Sequence, residues 1–186
     1  MDRELIKQKL ENGDYKKYTD EEITKILKIQ QQENPRRQLY IVAEEMAELT
    51  QEVTKTLRGK RNEIGLQEEF ADTFISLKIL YLELQYNLAS EIFDISAYTT
   101  DINLDKVYKV RFDHYNDYVL FRFLLNNIDT VNRAIINMTI SDYNYLPVVF
   151  KNLIALCCTL DVDYETVREI INIKVSNFEM TIKNIK

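Results

Sequence analysis

Three glycines and two prolines among 186 residues leave this chain few places to interrupt a helix. The stretches between them are rich in Glu, Lys, Leu and Ile, most of which lose little rotamer freedom in helical backbone. The expected fold class is therefore all-α, a helical bundle. Apolar spacing agrees: after Pro35, Leu39, Val42, Met46, Leu49 and Val53 recur at alternating steps of three and four and line one face of a helix. Asn34-Pro35 supplies a cap and a proline at the first helical position. In Arg58-Gly59-Lys60 the glycine can take the left-handed conformation that stops a helix.

The same signals place other helices. Thr19, followed by Asp20, Glu21 and Glu22, is a capping hydroxyl ahead of an acidic first turn, so a helix is expected over about residues 20–33. Another starts near Leu66 and reaches about Tyr86, with Phe70, Phe74, Leu77, Tyr81 and Leu84 on one side. The segment from Asp94 to Asp105, rich in Asp, Thr and Asn, divides a helical unit of residues 1–95 from a C-terminal half of residues 103–186. That half should hold helices near 114–138, 146–159 and 164–184, with a loop from Ser141 to Pro147. Asp163 is a plausible cap for the last helix, whose stripe is Val167, Ile171, Val175, Phe178 and Ile182.

Composition removes several functions. A 46% hydrophobic and 29% charged balance suits a soluble folded chain, and the net charge of -6 offers no global basic surface for a nucleic acid polymer. No apolar run approaches the roughly 20 residues of a membrane span. The charged Met1-Asp2-Arg3-Glu4 leads into no apolar signal region, so a cytoplasmic protein is expected. Cys157 and Cys158 are helix neighbours that point apart, and they read as buried apolar residues in a reducing compartment. Three glycines build no phosphate-cradling loop. A lone histidine, His114, supports neither a Ser-His-Asp nor a Cys-His system, and no Glu-x-x-His pair is present for a di-iron bundle.

What remains is a carboxylate pattern. Glu44, Glu45, Glu48 and Glu52 stand on the helix after Pro35, and Glu68, Glu69 and Asp72 on the next. Glu45 and Glu48 are three apart, as are Glu69 and Asp72, so each pair is side by side on its helix. Like charges at that spacing destabilise a helix by a few tenths of a kcal/mol per pair. Exposed glutamates are ordinary on helices, and Glu52 and Glu68 are expected to be surface residues. Two acidic pairs on consecutive helices nonetheless suit Mg²⁺, a hard ion that takes oxygen ligands and keeps waters for a phosphate to displace. Lys55, Arg58, Lys60 and Arg61 cluster at the end of the first acidic helix, where they could neutralise phosphate oxygens.

The segments Ala43-Glu44-Glu45-Met46-Ala47-Glu48-Leu49, Leu57-Arg58-Gly59-Lys60 and Glu68-Glu69-Phe70-Ala71-Asp72 resemble the MazG-like all-α nucleoside triphosphate pyrophosphatases. That superfamily includes dimeric dUTPases and phosphoribosyl-ATP pyrophosphohydrolases, and its pattern is E-x-x-E, a spacer, then E-x-x-D. The resemblance covers about residues 35–88. It implies Mg²⁺ (or Mn²⁺) ligation by Glu45, Glu48, Glu69 and Asp72, with Glu44 activating the attacking water. Lys55, Arg58 and Lys60 are carried over more loosely as phosphate contacts. The implied reaction is hydrolysis of a (d)NTP to (d)NMP and pyrophosphate by metal-activated water at the α-phosphorus.

The second half carries a faint echo of the first. Phe123–Ile128 follows Ile41–Met46 in apolar pattern, and Leu146–Asn152 follows Leu66–Asp72, with Asn127, Thr130, Val149 and Asn152 at the ligand positions. A degenerate tandem pseudo-repeat without metal would make the chain an intramolecular pseudo-dimer; otherwise a homodimer or higher assembly is expected. The alternative to an enzyme is a non-catalytic helical module that binds a nucleotide or a protein on the same scaffold. Tyr40 or Tyr81 could stack on a base, although tyrosines at helical spacing usually belong to the core.

Overall fold

The computed structural model describes residues 2–29, 35–88 and 160–185, together with positions 122, 149, 153, 154, 156 and 157. Among these residues all regular structure is helical: α1 (Arg3–Asn12), α2 (Asp20–Ile29), α3 (Pro35–Leu57), α4 (Glu63–Leu88) and α5 (Tyr164–Ile185). The all-α expectation is met.

Local chemistry sets the helix ends. Asp2 caps α1 by accepting from the Glu4 N–H at 3.2 Å. Gly13, at φ 64°, closes it with bonds from Gly13 N–H to Leu10 and from Asp14 N–H to Lys9. This helix is absent from the sequence reading: it is short and buries a single residue, Ile6, with Leu10 partly buried against the same core. At α2, Thr19 and Glu22 form a reciprocal capping box: Thr19 N–H donates to Glu22 Oε2 at 2.8 Å and Glu22 N–H to Thr19 Oγ1 at 3.2 Å. Gly59 takes φ 74° after α3, as its position requires.

Helix α4 begins at Glu63, three residues ahead of the expected Leu66. Asn62 caps it, its Oδ1 accepting from Gly65 N–H at 3.2 Å, and the glycine in the first turn concealed that start. Asp163 caps α5 as expected, accepting from Glu165 N–H at 3.1 Å and from the Thr166 hydroxyl at 2.6 Å.

The centre of the bundle is α4. It packs antiparallel along α3 through the short turn at residues 58–62 and also touches α1, α2 and α5. One side (Leu66, Phe70, Phe74, Leu77, Leu80) joins the main core with Leu39, Val42, Met46, Leu49 and Val53 of α3. Val167, Ile170 and Ile173 of α5 enter the same core. The opposite side (Ile75, Ile79, Leu82) forms a second cluster with Tyr18, Ile23, Leu27 and Val175. Apolar residues thus occupy two sides of α4, and its single expected stripe described only one of them. On α5 the inward face is Val167, Ile170 and Ile173, while Ile171 and Phe178 are half-buried.

Two hydrogen bonds, one buried and one part-buried, fix the register of α3 on α4. Gln38 Nε2 donates to the Ser76 carbonyl at 2.9 Å, and the Thr73 hydroxyl donates to the Glu45 carbonyl at 3.4 Å. Of the expected helices at 114–138 and 146–159, only position 122 of the first and positions 149, 153, 154, 156 and 157 of the second are described, each of them helical. The 94–105 boundary, the 141–147 loop, His114, Cys158 and the pseudo-repeat positions other than Val149 lie outside the described residues. Cys157 is buried, its thiol 3.8 Å from the Val162 carbonyl. No helix among the described residues is long and apolar enough to cross a membrane.

Candidate metal centre

That register brings the acids of α3 against those of α4. Glu45, Glu48 and Glu69 each offer a carboxylate oxygen, and these oxygens all lie within 4.8 Å of one another. Trans oxygens around Mg²⁺ stand about 4.2 Å apart, given ligand distances of about 2.1 Å, so the spacing suits a shared hard cation after small rotamer adjustments. Glu48 is exposed, Glu45 half-buried and Glu69 buried.

Glu69 Oε2 is buried with no hydrogen-bond partner. Leaving such an oxygen uncompensated is costly, and a cation among the three carboxylates would satisfy it. The donor set, all oxygen, fits Mg²⁺ or Mn²⁺ rather than a thiophilic metal.

Asp72 stands outside this group of three. Its Oδ2 accepts from Lys174 Nζ at 2.5 Å, an ion pair reaching over from α5. It remains close enough for its charge to act on both Glu45 and Glu69. Burial, followed by the charges of Asp72, Glu48 and Glu69, pushes Glu45 up to about 7. Burial, followed by Glu48 and Asp72, pushes Glu69 up to about 7 against the pull of Arg3. Asp72 is also raised by burial, with Lys174 opposing.

Glu52 and Glu68 depart from expectation. Both are buried, because each has a cation to accompany it inward. Glu52 accepts from Lys55 Nζ at 2.7 Å. Glu68 accepts from Arg3 Nε at 2.7 Å through Oε2 and from Lys174 Nζ at 3.0 Å through Oε1. Arg3 also donates from Nη2 to Glu69 Oε1 at 2.6 Å. A chain of alternating charge, Glu69–Arg3–Glu68–Lys174–Asp72, thus ties α4 to α1 and α5. Despite burial that disfavours its charge, Lys174 is held above its ordinary pKa by Asp72 and Glu68.

Sequence reading missed Arg3 and Lys174. Arg3 gives no local signal, since its partners are 65 and 66 residues away. Lys174 did give one: it interrupts an apolar run between Ile173 and Val175.

The expected phosphate contacts are dispersed. Lys55 is engaged by Glu52, and exposed Arg58 and Lys60 stand at the turn, with Arg58 about 15 Å along α3 from Glu48 at 1.5 Å per residue. Arg61, grouped with them by sequence, pairs instead with Glu63 and donates to the Leu160 and Asp161 carbonyls, pinning the turn to the approach of α5. Glu44 is exposed, about 100° around α3 from Glu45. Tyr40 is 63% exposed, whereas Tyr81 belongs to the core.

Fold and site together define an all-α protein with a three-carboxylate cluster able to hold a divalent cation. No family model, curated protein or solved structure matches the chain.

Proposed function

We propose that this chain is a Mg²⁺-dependent nucleoside triphosphate pyrophosphohydrolase, converting a (d)NTP and water to the monophosphate and pyrophosphate. The observation that carries the reading is the convergence from two helices of Glu45, Glu48 and Glu69, the last of which keeps a buried carboxylate oxygen with no hydrogen-bond partner. The E-x-x-E and E-x-x-D spacing supports it independently.

In this reading Glu45, Glu48 and Glu69 hold the cation, and Asp72 adds charge from one turn further along α4. The cation supplies Lewis-acid activation of water and neutralises phosphate oxygens. Glu44, next to Glu45 in the sequence and exposed, takes the proton of the attacking water in this reading. Arg58 and Lys60 draw the anionic substrate toward an otherwise acidic surface. Mn²⁺ substitutes for Mg²⁺, and the protein works in the cytoplasm as a homodimer or an internal pseudo-dimer.

The test is a panel of NTPs and dNTPs with Mg²⁺ or Mn²⁺, with both products quantified. Pyrophosphate and monophosphate should appear in equal amounts from at least one substrate, and Glu48→Ala or Asp72→Ala should abolish turnover with helix content retained. No pyrophosphate from any member of the panel would sink the proposal.

A second reading is favoured by one observation: Arg3 and Lys174 already neutralise part of the acidic cluster. A helical nucleotide- or protein-binding module could retain the acids as an internal salt network. Stabilisation by nucleotide in thermal melts without turnover would select it.

A further inference from the structure

Resting on the reading of Glu45, Glu48 and Glu69 as a cation site, we propose that Arg3 is a positioning residue for that site, acting through Glu69 and itself held in place by Glu68. The two oxygens of Glu69 have different surroundings. Oε1 accepts from Arg3 Nη2 at 2.6 Å, while Oε2 is buried, has no hydrogen-bond partner, and belongs to the carboxylate that meets Glu45 and Glu48. One oxygen anchored and the other left for a cation is the arrangement by which second-shell donors orient metal-binding carboxylates.

The anchor is itself constrained. Arg3 donates from Nε to Glu68 Oε2 at 2.7 Å, so the planar guanidinium spans two consecutive acids of α4 and cannot rotate without breaking one bond. Glu68 is fixed in turn through its other oxygen, which accepts from buried Lys174 at 3.0 Å. Arg3 lies in the first turn of α1, directly after the Asp2 cap, which limits the backbone that carries it. Glu68 thus serves as a hub between Lys174 and Arg3, and holds in place the guanidinium that orients Glu69.

The sign of one measurement separates this role from simple charge compensation. Removing a positive charge near a cation site should strengthen cation binding if Arg3 only neutralises the cluster. It should weaken binding if Arg3 orients Glu69. Mn²⁺ binding to the full chain, followed by the paramagnetic resonance of free Mn²⁺, is measured for wild type, Arg3→Gln and Arg3→Lys, with circular dichroism and thermal melts recorded alongside. Arg3→Gln should bind Mn²⁺ about 10- to 100-fold more weakly, the usual effect of losing a second-shell partner. Arg3→Lys keeps the charge and loses the two-point fork, so it should also weaken binding, and it serves if Arg3→Gln does not fold. Affinity equal to or above wild type in a folded variant overturns the proposal alone. A wild-type chain that binds no Mn²⁺ overturns the cation-site reading beneath it.

Discussion

At the scale of single residues, the site is dominated by repulsion that the fold imposes. Glu45 and Glu69 are both raised to about 7 from an ordinary 4.5, first by burial and then by neighbouring carboxylates. Between those values the folded chain retains protons that the unfolded chain has released, so these groups favour folding most at low pH and progressively less as pH rises. The metal-free protein should therefore lose melting temperature from about pH 5 to about pH 8. Mg²⁺ should stabilise little at the lower pH, where it competes with protons, and most at the higher. Glu21, Glu22 and Glu179, whose pKa values are lowered, act below this window and do not mask it. Melts of Glu69→Gln check the assignment: the decline with pH should flatten, and an unchanged slope would remove Glu69 as its source.

Residue by residue, the sequence disclosed the acids better than their company. Glu45, Glu48 and Glu69 are read from spacing because i, i+3 neighbours on a helix share a face whatever the tertiary structure. Burial of Glu52 and Glu68 depends on cations, and Arg3 and Lys174 come from helices whose docking no local pattern encodes.

At the scale of elements, the terminal devices should each show a measurable effect. Asp163→Ala removes two bonds at the start of α5 and should cost about 1 kcal/mol in denaturant unfolding. Gly59→Ala should cost about 1 kcal/mol as well, from backbone alone: φ is 74°, and nothing lies within 4 Å of the added Cβ. Helix α3 was legible throughout, since every apolar residue of its expected stripe is buried. Helix α4 was legible as a helix and only half legible as a surface. It faces two cores, and the sequence pattern exposed only the contacts on one of them.

At the scale of the whole molecule, the main core joins residues as far apart as Ile6, Phe70 and Ile173. Phe70 is fully buried, stacked on Phe74 at 6.3 Å, with Phe74 edge-on to Tyr164 at 6.2 Å. Phe70→Ala should destabilise by about 3–5 kcal/mol and do so in a single cooperative transition, seen as coincident far-ultraviolet and tyrosine-fluorescence melts. Separate transitions would mean that α5 unfolds independently of α3 and α4. Such non-local packing explains why fold class could be read from the chain and helix docking could not.

The Tyr18 backbone N–H donates to Asn172 Oδ1, a partner 154 residues later in the chain. At the ribosome, which adds about 5–20 residues per second, Tyr18 waits on the order of ten seconds before that acceptor exists. During this interval the apolar side chains of α2 have no Val175 to cover them. Until then that second cluster rests on Ile75, Ile79 and Leu82 alone, and slowing elongation late in the message should lengthen the interval.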